Sequence, residues 1–247
     1  MKVLRCFWLG CLLISACTKN DGKFSISPVT NCLLKTATYT TVPATYQATD
    51  EYSYDSYNRV TELNSTRLQL DFKYTYNNNN NVLGVSIYDL SNNGRLVGTE
   101  LFSYFGSTVT VHTFDSSGAE YNTITITLNG QQQVTNIAAN GDNESISYDG
   151  NGNVTGFMLC CSPSQTNTFA YDQKKHPLSM IGGKNYHLML FTGADPQSFI
   201  NNVVTDAAVP GATTYTYNND GFPLSSTVPS TAVKGQRYTV TYNYIYN

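Results

Sequence analysis

An aromatic pair at alternate positions, followed by Asp or Asn, a polar turn and an apolar residue, recurs along the chain and constrains its fold more than any other feature. It stands as Tyr52-Ser53-Tyr54-Asp55 before Val60, as Tyr74-Thr75-Tyr76-Asn77 before Val82, and as Tyr215-Thr216-Tyr217-Asn218 before Phe222-Pro223-Leu224. Degraded copies are Ile146-Ser147-Tyr148-Asp149 before Val154 and Phe169-Ala170-Tyr171-Asp172 before Pro177-Leu178, with a weaker one at Phe114-Asp115. The step from Tyr54 to Tyr76 or from Tyr148 to Tyr171 is about 22 to 23 residues, the length of two ordinary strands and their turns.

Within a unit the side chains alternate. Residues 67–76 place Leu68, Leu70, Phe72, Tyr74 and Tyr76 on one face and Arg67, Gln69, Asp71, Lys73 and Thr75 on the other, the pattern of a half-buried antiparallel strand. Ile124, Ile126 and Leu128 alternate with Thr123, Thr125 and Thr127, and Asn129-Gly130 then supplies a turn in which positive φ is expected. Tyr238, Val240, Tyr242, Tyr244 and Tyr246 share one face of the C-terminal run. Asp and Asn after each aromatic pair suit turns, because their side chains bond their own backbone and tolerate the left-handed region. The chain therefore predicts an all-β domain over 32–247, a curved antiparallel β-meander of repeated hairpins with at most one or two short helices. Residues 195–203 suit a short helix capped by Asp195 with Pro196 at its first position. Segment 178–209 interrupts the repeats and is a natural place for a ligand site.

The N-terminus sets the destination. Lys2 and Arg5 precede an apolar run from Cys6 to Ala16, too short to span the roughly 20-residue hydrocarbon core as a helix. Ile14-Ser15-Ala16-Cys17 matches a bacterial lipobox. Residues 1–16 thus read as a lipoprotein signal peptide, Cys17 as the lipidated residue that anchors the protein to a membrane, and 17–31 as the tether. The expected location is the cell envelope, most simply the outer membrane.

Without the signal the side-chain charge is about −5, and no Lys/Arg cluster is present, which excludes nucleic acid as a partner. Cys32, Cys160 and Cys161 remain beyond the lipid site, either as buried thiols or with Cys32 paired to one of the other two. With His112, His176 and His187 scattered, they form no zinc pattern, and no metal or other cofactor is expected.

These motifs resemble two groups of proteins. Tyr148-Asp149-Gly150-Asn151-Gly152-Asn153-Val154 resembles the YD repeat of large bacterial wrapping toxins and surface shells, with one residue inserted. Tyr171-Asp172-Gln173-Lys174-Lys175-His176-Pro177 followed by Asn201-Asn202, together with the lipobox, is similar to a family of bacterial envelope lipoproteins, a domain of unknown function with a porin-like fold. The resemblance implies a strongly curved meandering sheet and carries no activity. A membrane pore conflicts with strands that are polar and charged on one face and core-like on the other.

No catalytic signature appears: there is no nucleophile elbow, zincin motif, Walker loop or dinucleotide fingerprint. His112 reads as a surface or partly buried strand residue and His176 as a turn residue. Asp149-Gly150-Asn151-Gly152-Asn153 reads as a hairpin turn rather than a calcium loop, because Cys160 occupies the position of the closing acid. Most tyrosines suit core packing; Tyr242, Tyr244 and Tyr246 are the candidates for ligand contact should they lie on an edge strand. The expected function is a non-catalytic envelope lipoprotein that binds a glycan or an envelope protein. The alternatives are a structural or assembly role without a small ligand, or a hydrolase whose site the spacing does not reveal.

Overall fold

The computed structural model describes residues 32–160, 165–182, 200–207, 211–230 and 236–246. They form a meander of β1 (Cys32–Val42), β2 (Gln47–Tyr54), β3 (Val60–Ser65), β4 (Leu70–Tyr76), β5 (Val82–Asp89), β6 (Arg95–Phe105), β7 (Thr108–Asp115) and β8 (Glu120–Leu128). It continues through β9 (Val134–Ala139), β10 (Asp142–Tyr148), β11 (Val154–Cys160), β12 (Gln165–Lys175), β13 (Asn201–Asp206), β14 (Thr214–Tyr217), β15 (Pro223–Pro229) and β16 (Arg237–Tyr246). The sheet has 16 strands, antiparallel neighbours in chain order, and β1 closes on β16 from Cys32↔Tyr246 to Val42↔Arg237. β13 and β14 end the strand order, and their seam is bridged by Thr213 N–H to the Val204 carbonyl and by the Tyr215 hydroxyl to the Val203 carbonyl, both at 2.9 Å. The result is a nearly closed barrel. Among the described residues the helical structure is one 3-10 turn, Leu90–Asn92.

Two local expectations change. Residues 201–203 belong to β13 and not to a helix, because Asp172 on β12 accepts the backbone N–H of Asn202 at 3.2 Å and Lys175 C=O accepts its carboxamide at 3.1 Å, drawing the segment into the sheet; residues 195–199 lie outside the described set. The strand foreseen over 67–76 begins at Leu70. Residues 66–69 form a turn instead, in which Ser65 Oγ accepts the Leu68 N–H and Gln69 takes φ 59°.

Inside and outside are set by the alternation. One apolar cluster fills the inner face, from Leu34, Tyr52 and Val240 through Phe72, Val85, Val111 and Ile126 to Ile146 and Phe157. The outer face carries Lys35–Glu51 at 2.8 Å, Lys73–Glu62 at 3.4 Å and the Thr108↔Thr127 and Thr110↔Thr125 pairs. A pore in lipid needs the reverse, an apolar belt outside and a wet lumen. This interior is a packed core.

One polar row crosses that core. Tyr74, Val85, Glu100, Thr113 and Asn122 stand opposite one another on β4 to β8. Glu100 is 9% exposed, one of its carboxylate oxygens has no hydrogen-bond partner among the described residues, and burial pushes its pKa up to about 7.

Past the end of β12, residues 176–182 cross the mouth of the barrel. Leu178 joins the core cluster and Ile181 packs against it. The Gly182 N–H then donates to the Asn58 carbonyl at 2.7 Å, in the β2–β3 turn. A Cβ on Gly182 would collide with the Tyr57 carbonyl oxygen, so only glycine makes this approach.

Candidate functional site

The repeated Asp or Asn builds one turn many times. At Asp55, Asn77, Asp115, Asn129, Asp149 and Asn218 the side-chain oxygen accepts the N–H groups two and four residues on, at 2.8–3.1 Å. The residue three positions on donates to the same residue's carbonyl and has positive φ: Asn58 61°, Asn80 61°, Gly118 82°, Gln132 64°, Gly152 89° and Gly221 82°. The ladder then slips, as in Tyr54↔Val60, Tyr76↔Val82 and Tyr148↔Val154. This is a hairpin loop with a left-handed residue and a bulge. The turn after Asn129 corrects one expectation. Its left-handed residue is Gln132 and not Gly130, because the Asn129 carboxamide fixes the count.

The meander places five of these turns, those at Asp55, Asn77, Asn129, Asp149 and Asn218, on one rim and the Asp115 turn on the other. After the Asp55, Asn77, Asn129 and Asn218 turns the bulge leaves the carbonyl of the first strand residue beyond the reach of the next ladder, and a tyrosine hydroxyl supplies the missing donor. Tyr76 donates to Val60 C=O, Tyr148 to Val134 C=O, Tyr244 to Pro223 C=O and Tyr104 to Val82 C=O, at 2.6–2.8 Å. Tyr54 does the same to Leu34 C=O at 2.7 Å. β8 ends in Leu128 because the β6–β7 turn has no bulge, and the Leu128 N–H bonds the Ser107 carbonyl directly at 2.8 Å. The repeated tyrosines are therefore structural.

Successive hairpins splay apart toward this rim. Between β3 and β4 pairing stops at Glu62↔Lys73, and Arg59 fills the gap. Its guanidinium meets Asp55 at 2.6 Å, Asn77 C=O at 3.2 Å and Asn80 Oδ1 at 3.1 Å, and lies 4.9 and 4.6 Å from the Tyr57 and Tyr76 ring centres. Burial opposes the charge on Asp55, yet Arg59 and the turn amides hold its pKa below the ordinary value.

Between β9 and β10 pairing stops at Asn136↔Ser145. The residue equivalent to Arg59 is Gln133, which reaches the next turn only through Nε2 to Gly152 C=O at 3.5 Å. A cleft of about 550 Å³ stays open, lined chiefly by Asn129, Gln131, Gln133, Tyr148, Asn151 and Ile200, with no Lys, Arg or His among the described residues of its wall. Desolvation disfavours the Asp149 carboxylate at its edge, but bonds from the Asn153 side chain and the turn amides outweigh it and lower the pKa.

Beside the cleft, Asn153 Nδ2 donates to Asn201 Oδ1 at 3.1 Å, and Asn201 Nδ2 to Lys174 C=O at 2.9 Å. The Asp172 carboxylate accepts from Lys174 N–H, Asn202 and the Tyr217 hydroxyl. The Tyr171–Pro177 segment and Asn201-Asn202, far apart in sequence, thus form one fastening around the buried Asn202. His176 lies at a turn as expected. It is half-buried, desolvation lowers its pKa to about 3, and its Nδ1 accepts the Leu178 N–H.

The tyrosines singled out at the C-terminus lie on β16, which is paired on both sides and is no edge strand. Tyr242 faces inward with its hydroxyl 3.0 Å from Ser226 Oγ, Tyr244 bonds Pro223 C=O, and Tyr246, 52% exposed, accepts from Asn218 Nδ2. Cys32 is a buried free thiol whose pKa burial raises. Cys17 and Cys161 and the side chain of Cys160 lie outside the described residues. His112 sits on the outer face 2.8 Å from Glu120. Sequence reasoning passed over Gln131, Gln133 and Ile200. The signal that marks Gln133 is its place four residues after the turn-forming Asn, where the first repeat has Arg59.

No family model and no curated protein matches the chain. Its fold is similar to that of a porin-like protein from Bacteroides uniformis, at 15% identity and a TM-score of 0.50, over 86% of this chain and 98% of that one. A porin-like protein from Bacteroides vulgatus aligns over 86% of this chain and 99% of its own, at 10% identity and a TM-score of 0.43.

Proposed function

We propose that this protein is a non-catalytic binding module of the bacterial cell envelope, held to the membrane through lipid on Cys17 and engaging its ligand at the rim of Asx turns. The observation that carries this reading is the open junction between the Asn129 and Asp149 turns, a concave site on a rigid frame. The likeness in fold to a porin-like protein supports an envelope setting, and the polar outer wall favours a tethered domain over a lipid-embedded pore. Lipid labelling tests the anchor: Cys17→Ala should abolish it and release the protein from membranes. A photoreactive benzophenone residue at Gln131 tests the site. It should give a crosslinked adduct in intact cells while the same group at Asn79, beside the filled junction, gives none; equal or absent labelling at both overturns the reading.

A scaffold role without a small ligand finds support in the outer wall, where Leu101 and Phe105 on β6 are 48% and 89% exposed.

A further inference from the structure

We infer that the cleft between the 129–133 and 149–153 turns is a saccharide site, taking a neutral, polyhydroxylated ring against Ile200 and the amides of Gln131, Gln133 and Asn151. The inference rests on the reading of this rim as the ligand-binding end. The cleft is a departure from the repeat rather than an accident of loop shape, since the same junction between β3 and β4 is filled by Arg59.

The chemistry of its described lining favours a neutral ligand. Among the described residues no cationic side chain lines it, so they offer an anionic ligand nothing to replace its lost hydration. The carboxylate at its edge, Asp149, already accepts the Asn151 N–H at 2.9 Å, the Asn153 N–H at 2.8 Å and Asn153 Nδ2 at 3.0 Å, and so has little left for a cation. What remains is amide and hydroxyl. Gln131 and Asn151 project from equivalent positions of the two turns, and their side-chain amides make no hydrogen bond among the described residues. Each offers a carbonyl acceptor and an NH2 donor, the match for sugar hydroxyls that donate and accept at once. Thr135 and Ser147 also line the cleft; their hydroxyls donate to Thr127 C=O at 3.2 Å and Gly156 C=O at 3.3 Å and retain acceptor capacity.

A sugar ring also presents an apolar C–H face. Ile200 is 44% exposed beside the cleft, and the Tyr148 ring is fixed by its hydroxyl's bond to Val134 C=O. The frame does not need to be ordered on binding. Both turns are closed by their Asx bonds, so the ligand does not bear that entropic cost. The volume, about 550 Å³, falls within the range of small-molecule sites.

The test is calorimetric titration of the full chain carrying Cys17→Ala with neutral hexasaccharides of glucose, mannose, xylose and N-acetylglucosamine. An oligogalacturonate and inorganic phosphate serve as charged comparators. At least one neutral oligosaccharide should bind with Kd between about 10 μM and 1 mM. Asn151→Ala and Gln131→Ala should each weaken it about tenfold without changing the melting temperature, the loss expected for one or two hydrogen bonds. Asn79→Ala, at the equivalent place in the filled junction, should leave binding unchanged. No binding by any neutral oligosaccharide, tighter binding of the charged probes, or affinity indifferent to both cleft variants overturns the inference. Crosslinking from Gln131 with no saccharide binding would overturn the sugar assignment alone and leave the binding-module reading standing.

Discussion

Two junctions of the same build, β3 with β4 and β9 with β10, differ in the side chains that face the gap and end in opposite states. In both, an Asx turn precedes the strand, the ladder stops short of the rim, and a tyrosine hydroxyl 2.7 Å from a valine carbonyl satisfies the backbone left over. Arg59 in the first is long enough to span to the next turn, planar enough to stack on two tyrosines, and charged to complement Asp55. Gln133 in the second is shorter and neutral, and opposite it Gly152 stands where the first junction has Asn80. The repeat thus supplies the same frame at both places, and the side chains facing the gap, Arg59 and Asn80 or Gln133 and Gly152, decide whether a junction is filled or open.

The comparison presumes that the wall between the junctions is a stable apolar core, and its exception should show the largest effect. Glu100 in that wall has a pKa of about 7 against an unperturbed 4.5. Between those values the native state holds a proton that the unfolded chain has released, so Glu100 contributes a fall in stability as pH rises, about 3 kcal/mol in all, that levels off above about pH 7. His176, held neutral with a pKa of about 3, contributes the opposite slope up to about pH 6.5, so the Glu100 effect is read as a difference between two proteins. Urea denaturation should show Glu100→Gln gaining stability relative to the wild-type chain as pH rises from about 5 to about 8 and ending as the more stable protein. A difference between the two that stays constant over that range would remove the strain assigned to this residue.

Opening the filled junction comes next. Arg59→Gln removes the ion pair, two hydrogen bonds and both ring contacts of a side chain only 13% exposed, and should cost about 2 kcal/mol in the same assay. Gln133→Ala, which gives up the 2.8 Å bond from Asn129 Nδ2 and the 3.5 Å contact to Gly152 C=O, should cost about 1 kcal/mol or less. Similar costs at the two positions would dissolve the contrast.

The shared part of the design predicts the smallest and most even pair of effects. Tyr76→Phe and Tyr148→Phe each strip the donor from a backbone carbonyl and should each lose about 1 kcal/mol, equal within error. A loss at one position alone would show that the two hydroxyls do different jobs.

Much of this was legible in the residues. The strands could be read because one face is buried, which imposes period 2 on Leu70, Phe72, Tyr74 and Tyr76. The turns could be read because Asp55, Asn77, Asp149 and Asn218 carry the side chain that makes them. The failures share a cause. Tyr242 and Tyr244 were candidates for contact only if β16 were an edge, and its pairing with β1 joins residues from opposite ends of the chain. Residues 201–203 are strand because Asp172, about 30 positions earlier, takes Asn202, a tertiary bond that overrides local helix preference. The cleft was invisible for the same reason: what Gln133 does depends on how far β10 stands from β9, and no local pattern records that distance.

The most direct test of the account is to turn the open junction into the filled one. Gln133→Arg should place a guanidinium across the cleft as Arg59 does in the first junction. Titration with the neutral oligosaccharide that binds the wild-type chain should then give an affinity at least about tenfold weaker, with an unchanged or raised melting temperature. Undiminished affinity in a folded Gln133→Arg protein would contradict the claim that this junction is the site.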